Sequence, residues 1–127
     1  GYVLASLGEE SGYVPYTAFS ARKSYMAENP EVIEGFTAAL QKGMEYVNSH
    51  SAEEVAKAIK PQFEEMDETS LATIIKRYQA QDTWKKDLIF SKEAFELLQD
   101  ILLDAGVVQT TVPYEELINT EFAEKVK

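Results

Sequence analysis

The tripeptide Asn29-Pro30-Glu31 most limits what this chain can become. Asn caps helices, Pro suits the first helical position because its missing N–H has no intrahelical partner there, and an acid in the first turn complements the helix dipole. Behind it Val32, Ile33, Phe36, Ala39, Leu40, Gly43, Met44 and Val47 recur at steps of three and four. That spacing predicts a helix of about five turns with one buried stripe. Gly35 and Gly43 weaken it by up to about 1 kcal/mol each relative to Ala, so close packing of a neighbour against them is the expectation.

More helices follow on the same logic. Ser51-Ala52-Glu53-Glu54 is a capping box opening a helix with Val55, Ala56 and Ile59 on its apolar side, and Pro61 closes it. Asp67 is placed to cap a helix through Leu71, Ile74, Ile75 and Tyr78. Ser91 is placed to cap another through Phe95, Leu98, Ile101, Leu102 and Ala105, stopped at Gly106. Val107 to Val112 reads as a short extended piece. Residues 113–118 and 120–126 read as two terminal helical turns, the second capped by Thr120.

The first 26 residues have a different texture, rich in Gly, Ser and Tyr. Residues 2–7 and 14–22 read as strands around a Gly8–Gly12 loop. In the second run Val14, Tyr16 and Ala18 share one face and Thr17, Phe19 and Ala21 the other. Neither face is strongly polar, which calls for cover on both sides. Glu9 and Glu10 balance Arg22 and Lys23 here, so the whole formal charge of -10 falls on residues 27–127.

That acidity, with 12 scattered bases, argues against a nucleic-acid partner. The 127 residues suit one domain, and 45% apolar content is enough for a core. With no cysteine, thiolate metal sites and thiol nucleophiles are excluded, and His50 alone builds neither a multi-histidine metal site nor a conventional catalytic relay. No apolar run reaches the roughly 18 residues of a membrane span. Nor does a basic-then-apolar signal segment open the chain. Starting on Gly1 in a strand-like run, the chain reads as a processed product or a piece of something longer.

Each chemical motif has a plain structural alternative. The pairs Glu53-Glu54, Glu64-Glu65 and Glu115-Glu116 diverge by roughly 100° on a helix and read as solvated surface, not as an acid–base pair or cation site. His50 ends the first long helix, where the negative end of the dipole is reason enough for it. Trp84 lies in the polar connection 79–87 and is expected to pin that loop to the helices. Among the aromatics, Tyr13 and Tyr16 are the candidate ligand contacts, since a tyrosine offers both a stacking face and a polar tip.

Taken in order, Gly12-Tyr13-Val14-Pro15-Tyr16-Thr17, Ala21-Arg22-Lys23, Glu28-Asn29-Pro30-Glu31-Val32, residues 39–47, Gln81-Asp82-Thr83-Trp84, residues 102–106 and Val112-Pro113-Tyr114-Glu115-Glu116-Leu117 carry a resemblance. The chain resembles the C-terminal portion of a substrate-binding protein of ABC importers, in the nitrate, sulfonate, taurine and thiamine-pyrimidine-precursor family. The resemblance implies an α+β, mostly helical chain forming a partial lobe of a two-lobed α/β type II periplasmic-binding-protein fold. In it residues 1–26 would supply strands and the inter-lobe crossover, and residues 27–127 the C-terminal helices. It further implies a non-enzymatic, extracytoplasmic solute receptor, periplasmic or a cell-surface lipoprotein, working with a membrane permease and without cofactor or metal. Ligand contact then falls on Tyr13, Tyr16 and Thr17. Most residues that decide the solute would lie outside this chain, and an apolar segment 1–26 short of sheet neighbours would drive self-association. Two alternatives stand beside it. One is a pyrimidine-precursor synthase, whose histidine-and-iron chemistry would find only His50 here. The other is a self-sufficient helical interaction module.

Overall fold

A computed structural model of the chain describes residues 4–127. In it the helices are α1 (Leu7–Glu10), α2 (Lys23–Glu28), α3 (Pro30–Ser49), α4 (Ala52–Ile59), α5 (Glu68–Ala80), α6 (Lys92–Asp104), α7 (Tyr114–Leu117) and α8 (Glu121–Lys125), with a 3-10 turn at Lys60–Gln62. The four expected helix starts are all present. At α4 the capping box closes in both directions: Glu54 N–H donates to Ser51 Oγ at 3.2 Å, and Ser51 N–H donates to Glu54 Oε2 at 2.9 Å. Asp67 Oδ1 accepts from Ser70 N–H at 2.9 Å, and Ser91 Oγ from Ala94 N–H at 3.2 Å. Asn29 differs from expectation. Its Nδ2 donates backwards to the Tyr25 carbonyl at 3.2 Å, so the side chain closes α2 and leaves Pro30 to start α3. Thr120 likewise gives way to Asn119, whose Oδ1 accepts from Glu121 N–H at 2.9 Å.

The core sits where α4 lies against α5. Ala52, Val55 and Ala56 meet Leu71 and Ile75, and Val47, Ile59, Met66, Ala72 and Trp84 pack around them. A second, aromatic cluster holds the C-terminal part together: Phe90 and Tyr114 both meet buried Phe95 edge-on, and the Tyr114 hydroxyl donates to the Phe90 carbonyl. At the far end α8 returns to α3 through Lys125 and Glu34, 2.6 Å apart.

The strands expected at 2–7 and 14–22 are not formed among the described residues; residues 2 and 3 lie outside them. Leu7 enters α1 instead, and 14–22 runs irregularly until α2, a helix the sequence reading passed over because Arg22 offers no cap. The cause is pairing. A strand is stable only beside another, and no described segment forms a main-chain ladder with 14–22. The close packing expected at Gly35 and Gly43 is also missing: a Cβ built on either meets nothing within 4 Å.

The chain exposes 9863 Å². A folded monomer of 14.3 kDa exposes about 6,800 Å². Much of the excess is apolar and near the N-terminus: Leu4, Leu7, Tyr13, Tyr16 and Phe19 are exposed, and so are Val32 and Phe36 on the stripe that the sequence predicts as buried.

Candidate functional site

The helix end at α5 organises the most structured hollow. Thr83 N–H donates to the Tyr78 carbonyl at 3.1 Å and Asp82 N–H to that of Gln79 at 3.2 Å, the paired bonds of a Schellman stop. Such a stop needs one residue in the left-handed region. At the end of α6 that residue is Gly106, with φ of 69°; at the end of α5 it is Asp82, with φ of 52°. Aspartate tolerates this conformation better than most residues but less well than glycine. The stop turns the Asp82 carboxylate outward, where Tyr13 Oη donates to Oδ2 at 3.0 Å. This hydrogen bond, and after it the negative charge, raises the Tyr13 pKa above its ordinary value.

Below this contact lies a hollow of about 380 Å³, walled by Asn48 and His50 at the end of α3, Gln79 of α5, and Asp82, Thr83, Trp84 and Lys86 of the connection. Its walls are tied together by side chain to main chain bonds. Gln79 Nε2 donates to the Val47 and His50 carbonyls at 2.9 and 3.1 Å, joining α5 to the end of α3. Asn48 Nδ2 donates to the Lys85 carbonyl at 2.9 Å and holds the connection against α3. Trp84 stands edge-on to Tyr78 with centroids 5.6 Å apart, and its other side leans on the core. It pins the loop, as expected. His50 stacks on Tyr46 at 3.8 Å with Nδ1 3.0 Å from the Tyr46 carbonyl, the helix-end role read from the sequence. The groups lining the hollow are one carboxylate, one ammonium, an indole, an imidazole, two amides and a hydroxyl. They hydrogen-bond and stack, which is the chemistry of holding a small molecule.

None of the three expected contact residues lines this hollow, and only Tyr13 touches a residue that does, Asp82. Tyr16 is 98% exposed and Thr17 is exposed, and neither side chain bonds to any described residue. Their segment is held at its two ends. Gly12, with φ of 77°, passes over Leu97 of α6, where an added Cβ would lie 3.6 Å from Cδ2. Phe19 meets Phe36 of α3 edge-on at 5.0 Å. Between them Val14 and Pro15 are half-buried, while Tyr16, Thr17 and Ala18 are exposed. The reading from sequence missed Asp82 and Gln79. For Asp82 a signal existed, because an aspartate just past the last apolar position of α5 stands where a left-handed stop is due.

A second hollow, about 350 Å³, lies along the exposed first turns of α4 and α5 between Glu53, Glu68, Thr69, Ala72, Thr73 and Lys76. It is solvated surface, as expected for the acidic pair at Glu53-Glu54. No group of three or more Asp, Glu or His among the described residues is arranged to hold a metal ion, and no described helix is long and apolar enough to cross a membrane.

No protein-family model matches the chain, and no solved structure matches it. It is 40% identical over 126 residues to a protein of Bacillus subtilis (strain 168) named "Putative binding protein YtlA". The similarity takes in 99% of this chain and 38% of that protein. The chain therefore spans well under half the length of the curated relative it matches.

Proposed function

We propose that the chain works as part of a solute-binding protein of an ABC importer, capturing a small molecule such as a sulfonate, nitrate or a thiamine pyrimidine precursor for a membrane permease. In this reading it is not an enzyme, acts outside the cytoplasm, and forms part of one lobe of a two-lobed α/β receptor. The observation that carries the proposal is the segment 12–19. It is tied down at Gly12, Tyr13 and Phe19, yet it presents Tyr16 at 98% exposure and Thr17 beside it to a space this chain does not fill. An exposed stacking ring and hydroxyl, on a segment anchored at both ends, fit one side of a closing site. The similarity to a longer protein named for binding supports the same reading.

Calorimetry on the proposed two-lobed protein tests it, with a sulfonate, nitrate and an aminopyrimidine as titrants. Tyr16→Ala is expected to weaken binding of the accepted solute by about tenfold or more, the scale of a lost aromatic contact. Trp84→Ala, which removes a loop pin, is expected to weaken it less. Equal and negligible effects at both positions, or no binding of any of the three, would overturn the assignment.

A further inference from the structure

We infer that Asp82 is a positioning residue for the proposed solute segment: its carboxylate accepts the Tyr13 hydroxyl and so fixes the backbone that carries Tyr16 and Thr17 to the helical body of the chain. This role rests on the reading of segment 12–19 as one side of a solute site. Pro15 to Ala21 make no main-chain hydrogen bond to any described residue, so the place of the segment is set by its anchors. Two of these are apolar, Gly12 over Leu97 and Phe19 against Phe36, and apolar contact is non-directional. The third has direction. Among the described residues, the bond from Tyr13 Oη to Asp82 Oδ2, 3.0 Å long, is the one hydrogen bond that joins residues 4–21 to the later part of the chain. Tyr16 follows at most about 11 Å further along the backbone, so the tie falls close to the ring proposed to meet solute.

The anchor point is itself held. Asp82 N–H and Thr83 N–H close the stop of α5, Asn48 ties the neighbouring Lys85 carbonyl to α3, and Trp84 packs on the core. The two helix stops show why the side chain matters. After α6 the same pair of bonds, Gly106 N–H to the Leu103 carbonyl and Val107 N–H to that of Leu102, is built on a glycine, whereas after α5 it is built on an aspartate at φ of 52°. A side chain kept where glycine fits better needs a reason. The hydrogen bond that this carboxylate makes among the described residues is the one to Tyr13, 69 positions earlier, and that bond supplies the reason.

Amide order parameters and tyrosinate absorbance of the 127-residue chain, with calorimetry of the proposed two-lobed protein against a sulfonate, nitrate and an aminopyrimidine, test the inference. Asp82→Gly keeps the stop, because glycine suits the left-handed position, and removes only the carboxylate. It is expected to lower the order parameters of Tyr13, Tyr16 and Thr17 from the rigid range near about 0.85 to below about 0.6, with those of α4 and α5 unchanged. It should also return Tyr13 ionisation to its ordinary range and weaken binding of the accepted titrant about fivefold. Tyr13→Phe should loosen the segment and weaken binding to the same extent, and the double variant should lose no more than either single one. Asp82→Asn keeps an acceptor and tolerates the left-handed backbone, so it should leave the segment ordered and binding within about twofold of the unsubstituted protein. Order parameters unchanged by Asp82→Gly, loosening by Asp82→Asn equal to that by Asp82→Gly, or a double loss equal to the sum of the single ones would overturn the tie. A loosened segment with unchanged affinity would overturn the positioning role. The solute reading stands in that case if Tyr16→Ala still weakens binding, and falls together with the role if Tyr16→Ala has no effect or none of the three titrants binds.

Discussion

Leu71→Ala tests whether the contact of α4 with α5 holds this chain together. Leu71 is 3% exposed and lies among Ala52, Val55, Ala56 and Ile75. Truncation removes three carbons, which at about 0.8 kcal/mol each gives roughly 2.4 kcal/mol of lost transfer energy. A cavity term adds to this. It is small here, because two of the facing residues are alanines on a short helix that can move inward, so we expect about 3 kcal/mol, in the lower half of the range for buried leucines. For 127 residues the unfolding entropy is about 0.27 kcal/mol/K, which converts the loss to a fall in Tm of about 11 °C. Thermal melts followed by circular dichroism and by Trp84 fluorescence would read it, since Trp84 packs on the same cluster. Leu97→Ala, at a residue already 38% exposed, should cost about half as much, roughly 1.5 kcal/mol. A Leu71→Ala loss no larger than that of Leu97→Ala would mean that stability resides elsewhere, and the fold described above would be wrong at its centre.

Other consequences follow from the caps, the Tyr13–Asp82 hydrogen bond and the glycines. Ser51→Ala should destabilise by about 1 kcal/mol in urea titration, because it opens the capping box of the helix that carries Val55. Hydrogen bonds to amide and hydroxyl groups hold the carboxyls of Glu54, Asp67 and Glu93 below their ordinary pKa values. The stability they add is complete above the unfolded-state values and is lost as pH falls through the lower folded ones, so acid melts should show a falling Tm below pH of about 4 that Ser51→Ala flattens. The Tyr13 pKa is raised by Asp82, so that contact contributes below pH of about 10 and fails as pH climbs through the folded value. Absorbance titration of tyrosinate should show late-ionising groups, Tyr13 and Tyr114, and Asp82→Ala should remove only the first. Gly43→Ala should raise the stability of the chain by up to about 1 kcal/mol, since the new methyl meets nothing; a loss instead would reveal a packed neighbour at that turn.

The helices were legible in the sequence because the signals that set them are local. A cap reaches three residues and an apolar stripe repeats within one turn, so Ser51, Asp67 and Ser91 announce α4, α5 and α6 without reference to the rest of the chain. Strands carry no such guarantee. Val14 to Ala21 has the composition of a strand, but the ladder that would make it one depends on a partner that composition does not supply. The site divides in the same way. Tyr13 could be nominated from residue type, whereas its partner Asp82, 69 positions away, becomes visible only when the stop of α5 turns that carboxylate toward it. Tyr16 was nominated on the same grounds and Thr17 through the family resemblance, and neither side chain bonds to any described residue. The features that the described residues leave unexplained are the irregular run 14–21 and the exposed Val32 and Phe36. Pairing and apolar cover both require a second surface, and the roughly 3,000 Å² by which the exposed 9863 Å² exceeds that of a folded monomer of this mass is the area left uncovered.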